Sequence, residues 1–304
     1  MKTMILTVVL MLASAVGYAQ PADPIVFVFQ RQKEPSKVQA DADKLAAKLG
    51  EIVGRPVKAV VPTDYSATVQ ALRTGQADFA YLSSMPFLLA RRDAGASLLV
   101  VEQRPDHTGT PRTDYDSIIV VPADSPLQSI DDLVAKSKEL RFCFTSPTSG
   151  SGYIMPYWRL VSMGALQPRQ DVRTIFKSVS FGGGYTQALQ EVLAGRADVA
   201  AVSDYVLEGP NKDVYLKEAD RAKLRVLART GGVPTHLVAA AGRVSPELRD
   251  QMKQALLQVS KEDPELLSAV YGASVFVETD ENKHVQRVVE AIEAIGLPIE
   301  NIAR

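Results

Sequence analysis

Two stretches of the chain, about 120 residues apart, repeat one pattern of residues. Residues 65–84 read YSATVQALRTGQADFAYLSS, and residues 185–204 read YTQALQEVLAGRADVAAVSD. Aligned without gaps, they match Gly75 with Gly195 after the helical part and Ser83 with Ser203 at the end. Each copy predicts a unit of polar loop, helix, glycine stop, turn and buried strand, and a strand-like run precedes each copy. A chance likeness between two common strand–helix units is the alternative.

Two such units predict an α/β fold with two similar lobes, each a mainly parallel sheet flanked by helices. In open parallel sheets, ligands bind at the carboxyl ends of strands, where helices begin. Tyr65, Ser83, Tyr185 and Ser203 fall at such ends. With the lobes facing each other, these positions line one cleft, and we expect the ligand there.

Charge and apolar runs limit the classes of protein that the chain can belong to. Its 304 residues carry a formal net charge of −1, which gives no basis for nucleic-acid binding. Lys2, the apolar run that follows it and the small residues up to Ala19 predict a signal peptide cleaved before Gln20, with an N-terminal anchor helix as the alternative. No later run has the ~20 apolar residues that a membrane span needs.

Cys143 is the single cysteine of the chain, so no disulfide can form within it. It stands in the apolar run Arg141 to Phe144, which is typical of a buried strand. A buried packing residue is therefore favoured over a reactive thiol or a soft metal ligand.

A loop rich in Ser, Thr and Gly follows that strand. Residues 144–158 read FTSPTSGSGYIMPYW, and the loop leads into a predicted helix. Free N–H groups at a helix start, together with hydroxyls, bind anions well, so Thr148, Ser149 and Ser151 are candidate oxyanion ligands. A loop with an ordinary serine N-cap is the alternative. Tyr185 offers a hydroxyl donor on an apolar ring, and a half-buried packing role is its alternative.

Three segments carry a resemblance to a known family: DY at 64–65 with ALRTGQAD at 71–78, YDSIIVV at 115–121, and PTSGSGYIMP at 147–156. With them the chain resembles the phosphate/phosphite/phosphonate periplasmic binding proteins of ABC transporters, which have the type II periplasmic binding protein fold. The resemblance implies a two-lobed, Venus-flytrap protein that captures a small oxyanion in the interlobe cleft. It also implies that Tyr65 binds the oxyanion from the first lobe, and that Ser149 and Ser151 bind it from the second.

The chain departs from the family pattern at three polar positions. Gly150 stands where the family typically has Thr, Tyr185 where it commonly has His, and Phe87 where many members have Tyr. This indicates a cleft that is less polar than a usual phosphonate site. His236 lies near a predicted crossing between the lobes and could replace the missing imidazole; a structural histidine at the crossing is the alternative.

We expect a signal peptide at residues 1–19, a discontinuous first lobe at 20–120 plus 236–304, and a second lobe at 121–235, joined by two crossover strands that act as a hinge. The candidate ligand-binding residues are Tyr65, Ser83, Ser84, Thr148, Ser149, Gly150, Ser151, Tyr185, Ser203 and His236. No cofactor and no metal site are expected, because the three histidines are dispersed. The expected partners are the oxyanion and an ABC-transporter permease, and the expected state is a periplasmic monomer.

Two other functions stay open at this point. A periplasmic sensor for an arsenite-type oxyanion would use Cys143, because arsenite-sensing relatives of this superfamily use a cysteine. An enzyme acting on a phosphorylated metabolite would need a base or nucleophile. The sequence has no GxSxG, HExxH or Walker motif, and no complete GxGxxG, so we expect no catalysis.

Overall fold

The computed structural model describes residues 23–30, 35–62, 65–106, 108–210, 212–273 and 275–296, and the side chains of Pro35 and Tyr65 lie outside that description. The predicted signal peptide also lies outside the described residues. Within these ranges, no helix is both long enough and apolar enough to cross a bilayer.

The strands of the described residues are short and mostly buried. In chain order they are β1 (Ile25–Phe29), β2 (Val57–Val60), β3 (Phe79–Leu82), β4 (Ser97–Pro105), β5 (Pro111–Arg112), β6 (Asp114–Pro122), β7 (Arg141–Phe144), β8 (Ser178–Phe181), β9 (Val199–Ser203), β10 (Leu224–Pro234), β11 (Leu237–Ala240) and β12 (Val275–Val277).

The α-helices alternate with these strands. In chain order they are α1 (Pro35–Val53), α2 (Tyr65–Arg73), α3 (Ser84–Ala94), α4 (Ile130–Ala135), α5 (Met155–Ser162), α6 (Tyr185–Leu193), α7 (Glu218–Arg221), α8 (Pro246–Glu262), α9 (Pro264–Tyr271) and α10 (Glu281–Ile295). A π-helical turn, Gly150–Ile154, leads directly into α5. A short 3-10 helix, Asp204–Val206, follows β9.

The strands form two sheets, which confirms the predicted α/β architecture. The first has the order β12-β4-β11-β3-β1-β2, with β5 paired to β4, and the second has the order β10-β6-β9-β7-β8. In each sheet three neighbouring strands are parallel, β2-β1-β3 and β8-β7-β9, and the remaining strands join in antiparallel pairs. The sheets are thus mixed rather than mainly parallel, because β11 and β12 in the first sheet and β6 in the second run against the parallel core. We call each sheet with the helices on it a lobe.

The chain crosses between the lobes twice. β5 pairs within the first sheet and β6 lies wholly in the second, so the first crossing is at Thr113. The second crossing, between β10 and β11, is at Thr235 and His236. The Thr235 amide donates to Thr113 O at 3.0 Å, and its hydroxyl also donates to that oxygen at 2.9 Å, which ties the crossings together. The predicted boundary at 120/121 falls inside β6, and the exact division into lobes stays a prediction.

The sequence repeat has a structural counterpart in each lobe. Gly75 after α2 and Gly195 after α6 both have positive φ, 76° and 67°. The aspartates that follow these glycines make equivalent hydrogen bonds. An Asp78 oxygen accepts from Val26 N, and an Asp198 oxygen accepts from Arg141 N, both at 2.8 Å. Each Asp thereby fastens the turn to the middle one of the three parallel strands of its sheet, β1 or β7.

The last helix of the described chain, α10, contacts both lobes. It packs against α3 of the first lobe and against α5 and β10 of the second. Its buried face follows helical spacing, with Val285, Val288, Ile292 and Ile295 on one side. Asp280 caps its start by accepting from Lys283 N, and Gly296 ends it in the left-handed conformation.

Candidate ligand-binding cleft

The carboxyl ends of β3 and β9 bring two equivalent serines to the space between the lobes. Ser83 precedes α3 and Ser203 precedes the short helix after β9, and both have extended backbone. Neither hydroxyl caps the helix that follows it. Both side chains are buried, so both hydroxyls are available for hydrogen bonds other than helix capping.

The first lobe presents a group of buried polar side chains around Ser83. Gln30, directly after β1, accepts through Oε1 from Ser83 N at 3.0 Å and from Ser83 Oγ at 3.2 Å. The Nε2 group of Gln30 has no hydrogen-bond partner among the described residues, and the same holds for the hydroxyls of Thr68 and Ser84. Burying a polar group without a partner costs about 1–3 kcal/mol, so several at one place indicate a site that a ligand completes.

The second lobe presents the Ser/Thr/Gly loop and the π-helical turn. Ser149 Oγ accepts from Gly152 N at 3.0 Å and so caps the turn. Ser151 Oγ lies 3.0 Å from Tyr185 Oη and 3.4 Å from Tyr115 Oη, which makes a buried cluster of three hydroxyls. At a helix start, the first N–H groups have no acceptor within the helix. The cluster and these groups together offer donors to an anion.

Thr148 and Ser203 complete the second-lobe side. Thr148 Oγ1 lies 3.3 Å from Ser146 Oγ within the loop. Ser203 pairs in register with Ser117 of β6, and Ser117 donates to Ser151 O at 2.6 Å. In the described part of the chain, Ser203 Oγ itself has no partner. It shares this property with Ser84 Oγ of the first lobe.

The two lobes touch at Gly150. A Cβ atom placed on Gly150 would lie 3.4 Å from Ser84 Oγ and 3.3 Å from Val233 Cγ1, which is tighter than most Cβ contacts. The lobes are therefore closed on each other at this point, and the absence of a side chain at Gly150 permits the approach.

His236 lies at the second crossing with its ring fully buried. Its ring is parallel to Tyr115, with the centroids 6.1 Å apart. Nδ1 lies 3.7 Å from Glu102 Oε2 and 3.5 Å from Tyr205 Oη. Nε2 has no hydrogen-bond partner in the described ranges.

A buried ion pair supports this histidine. Arg104 donates through Nε to Glu102 Oε2 at 2.6 Å and through Nη2 to Glu102 Oε1 at 3.0 Å, and Tyr81 Oη also donates to Glu102. Burial would raise the pKa of Glu102, but Arg104 and His236 lower it, to about 2. The pair is neutral overall, so Arg104 is not a free cation for an anion bound beside these described residues.

Two contacts of this network reach across the cleft. The Arg104 guanidinium of the first lobe lies 4.1 Å from the ring centroid of Tyr205 in the second lobe. Tyr215 of the second lobe donates to Tyr271 O of the first at 2.5 Å. Both contacts join the two lobes directly.

The structure brings most of the predicted ligand residues to this one cleft. Nine of the ten are described in full, and they lie at the strand ends or at the crossing: Ser83, Ser84, Thr148, Ser149, Gly150, Ser151, Tyr185, Ser203 and His236. The side chain of Tyr65 lies outside the described residues, although the residue begins α2 as expected. Phe87 is fully buried in α3, consistent with packing rather than ligand contact.

The sequence reasoning missed several polar residues of the cleft. They are Gln30, Thr68, Glu102, Arg104, Tyr115, Ser117 and Tyr205. Gln30 had a usable signal, since a polar residue ends the otherwise apolar run PIVFVF. The others lie inside strand-like or helical patterns, and only the sheet register shows that they meet.

Cys143 is buried in β7, as its sequence context predicted. Burial raises the pKa of the Cys143 thiol, so the reactive thiolate is disfavoured. The described residues hold no group of three or more His, Cys, Asp and Glu side chains that could bind a metal ion.

Comparison with known proteins identifies the family to which the chain belongs. Residues 27–284 match the family model described as "ABC transporter, phosphonate, periplasmic substrate-binding protein". The phosphonates-binding periplasmic protein of Escherichia coli is 28% identical over 123 residues, which is 40% of this chain and 35% of that protein. The phosphate-import protein PhnD of Mycolicibacterium smegmatis is 22% identical over 226 residues, 73% of this chain and 68% of that protein. The chain thus spans about a third of the first relative's length and about two thirds of the second's.

Solved structures agree on the fold. A binding-protein component of a phosphonate ABC transporter from Pseudomonas aeruginosa superposes with a TM-score of 0.75 at 18% identity, over 92% of this chain and 94% of that one. PhnD1 from Prochlorococcus marinus, in complex with methylphosphonate, superposes with a TM-score of 0.74 at 20% identity, over 90% of this chain and 98% of that one. The two-lobed binding-protein fold is confirmed by both.

Proposed function

The chain belongs to the family of periplasmic substrate-binding proteins of phosphonate ABC transporters, and from this premise we propose that it captures a small phosphorus oxyanion between its lobes for uptake by an ABC importer. The candidate class is that of phosphonate, phosphite and phosphate. The relatives named for phosphonates and for phosphate support this class.

One observation carries the proposal. Four buried donors on cleft residues of the two lobes have no partner among the described residues, Gln30 Nε2, Thr68 Oγ1, Ser84 Oγ and Ser203 Oγ, and the ring nitrogen Nε2 of His236 at the crossing has none either. An oxyanion with three or four oxygens could accept from donors of both lobes at once, and hydrogen bonds to a charged group contribute about 1.5–3 kcal/mol each. Binding would then hold the lobes together.

The mechanism proposed is closure about the two crossings. Thr113 and Thr235 are hydrogen-bonded to each other and lie where the chain changes sheets, so small backbone rotations there would open the cleft. The closed lobes would present one continuous surface to a permease. We further propose that residues 1–19 are removed on export, and that the mature protein acts in the periplasm as a monomer without catalysis.

The sensor and enzyme alternatives find no specific support. Cys143 is buried within the second sheet. The imidazole of His236 lies 3.5 Å from the hydroxyl of Tyr205, which is longer than the contact of about 2.6–3.2 Å between a nucleophile and its base. Binding with release to a transporter remains the function that the geometry favours.

The test uses the two serines whose hydroxyls have no protein partner to lose. Ser84→Ala and Ser203→Ala should each weaken methylphosphonate binding by about 10- to 100-fold, since each removes a hydrogen bond to a charged ligand. Each should leave the ligand-free melting temperature unchanged or raised, because a buried unsatisfied hydroxyl is removed. Isothermal titration calorimetry and thermal-shift assays, with methylphosphonate, phosphite, phosphate, sulfate and arsenite, measure both effects.

Ser245→Ala is the matched control. Ser245 is exposed at the start of α8, which it caps by accepting from Leu248 N, and it is not one of the candidate ligand residues. Its loss should cost about 1 kcal/mol of stability without changing affinity. A wild-type protein that none of the phosphorus oxyanions stabilises, or serine variants with wild-type affinity, would contradict the proposed function.

A further inference from the structure

His236 is a fully buried imidazole whose position the backbone fixes. Its carbonyl oxygen accepts from Glu102 N at 2.9 Å, and it directly precedes β11. The adjacent pair Leu237–Leu82 is in register, which places His236 beside Ser83 at the carboxyl edge of the first sheet. Its side chain therefore lies among the donors of the cleft.

One edge of the ring faces a permanent negative charge. Glu102 stays ionised because its pKa is about 2 despite burial, and its Oε2 lies 3.7 Å from Nδ1. A carboxylate at that edge favours the tautomer with the proton on Nδ1. In the neutral ring, Nε2 then carries a lone pair, is buried, and has no partner in the part of the chain that the structure describes.

The ring is neutral in the ligand-free protein. Burial lowers the pKa of His236, Glu102 opposes that shift and Arg104 adds to it. The titratable and charged groups around the ring come from several elements: Glu102 and Arg104 on β4, Tyr81 on β3, Tyr115 on β6, Tyr205 after β9, Tyr271 on α9 and His284 on α10. Arg104 is committed to Glu102, so no free cation of this set can face the ligand.

We propose that the complex holds one shared proton between His236 Nε2 and an oxygen of the bound oxyanion, so that the cleft selects phosphorus oxyanions over fully ionised sulfate. The inference rests on the proposed function. An ionised oxygen placed against a lone pair is repelled, and one proton between them turns repulsion into a charge-assisted hydrogen bond. The proton comes either with the ligand, as a P–OH group, or from solvent.

The selectivity follows from the basicity of the ligand. Phosphonate, phosphite and phosphate oxygens hold a proton near neutral pH, whereas sulfate oxygens do not. Glu102 behind the ring stabilises the imidazolium form. With sulfate, the ring alone would have to carry the proton in a buried site, which the depressed pKa of His236 disfavours.

The test counts protons. At about pH 8.5, methylphosphonate is doubly ionised in solution and a histidine with an ordinary or lowered pKa is neutral. Calorimetric titrations in two buffers with different heats of protonation should show uptake of about one proton per methylphosphonate bound, and a dissociation constant that rises about tenfold per pH unit above that point. Asp204, with a pKa of about 6, is ionised throughout and does not contribute.

His236→Gln and His236→Asn should bind with uptake near zero and with reduced preference for methylphosphonate over sulfate. His284→Gln is the matched control: His284 is the other buried histidine near the crossing, and its Nε2 contacts Thr235 O at 3.0 Å, so uptake should stay at about one proton. Wild-type uptake near zero, or equal uptake in wild type and a folded His236 variant, would overturn the inference while leaving the proposed function intact. Failure of wild type to bind methylphosphonate, phosphite or phosphate would overturn both.

Discussion

Asp204 and Asp116 place two buried carboxylates beside the guanidinium of Arg229. Arg229 Nη1 lies 3.4 Å from Asp204 Oδ2 and 3.1 Å from Asp116 Oδ2. Burial and the charge of Asp116 raise the pKa of Asp204 to about 6, and together they outweigh the opposing effect of Arg229. One guanidinium therefore does not compensate both carboxylates fully.

A raised carboxyl pKa reduces stability once the group ionises. The folded state binds the proton more tightly than the unfolded state does, so stability is full below the unfolded pKa of about 4 and is lost as pH rises through about 6. Asp204→Asn should therefore raise the free energy of unfolding by about 1–3 kcal/mol at pH 8 and by little at pH 4. The asparagine keeps an oxygen for the Tyr205 N–H group, which donates to Asp204 Oδ1 at 2.8 Å.

Urea denaturation at the two pH values measures this difference. Asp250→Asn serves as a control, because Asp250 is exposed on α8 and its removal should change stability little at either pH. An effect of Asp204→Asn that is equal at pH 4 and pH 8 would show that the carboxyl does not titrate as described.

At the scale of elements, the repeated turn after α2 and after α6 is the feature with the clearest backbone requirement. Gly195 has φ of 67° and donates its N–H to Val192 O at 3.0 Å. A Cβ on Gly195 would have nothing within 4 Å, whereas one on Gly75 would meet the Arg243 side chain at 3.4 Å. The cost of a side chain at Gly195 is therefore confined to the backbone conformation.

Gly195→Ala should lower the free energy of unfolding by about 1 kcal/mol, because L residues adopt the left-handed region at that cost. Gly195→Asn should cost less, since Asn tolerates this conformation. The midpoint of urea denaturation gives both values. Equal stability of Gly195→Ala and wild type would mean that the turn does not need positive φ.

The same repeat explains which parts of the fold could be predicted from the sequence. Glycine stops and the Asp after each helix leave local signals, so both units, the two lobes and the serines at the strand ends could be found. The antiparallel strands could not, because nothing in the apolar runs at β6 or β11 says which neighbour they pair with. For the same reason Gln30, Glu102 and Tyr205 were missed: they meet in the cleft through register and lobe closure, not through sequence spacing.

At the scale of the whole molecule, closure depends on contacts that are outside the predicted ligand set. Tyr215 donates to Tyr271 O across the cleft at 2.5 Å, and a hydrogen bond of this kind contributes about 0.5–1.5 kcal/mol net. Tyr215→Phe should remove that contribution from the closed state alone. The open form gains population accordingly.

Tyr215→Phe should therefore weaken methylphosphonate binding by about fivefold, since affinity falls with the population of the closed form. Small-angle scattering of the ligand-free variant should show a larger radius of gyration than wild type. Tyr157→Phe is the control, because Tyr157 donates to Gln170 O within the second lobe and its loss should affect stability but not affinity. Equal affinities of Tyr215→Phe and wild type would show that this contact does not govern closure.

The position of β11 sets an order in which the lobes can be completed as the chain is made. β11 lies between β3 and β4 in the first sheet, and those two strands pair with it rather than with each other. All five strands of the second sheet, β6 to β10, precede β11 in the chain. As the chain emerges from its N-terminal end, the second sheet can thus form first, while the facing edges of β3 and β4 stay unpaired until Leu237–Ala240 is available. A chain that ends before that point can form the whole second sheet but leaves β3 and β4 each with an unpaired edge, and such edges favour aggregation.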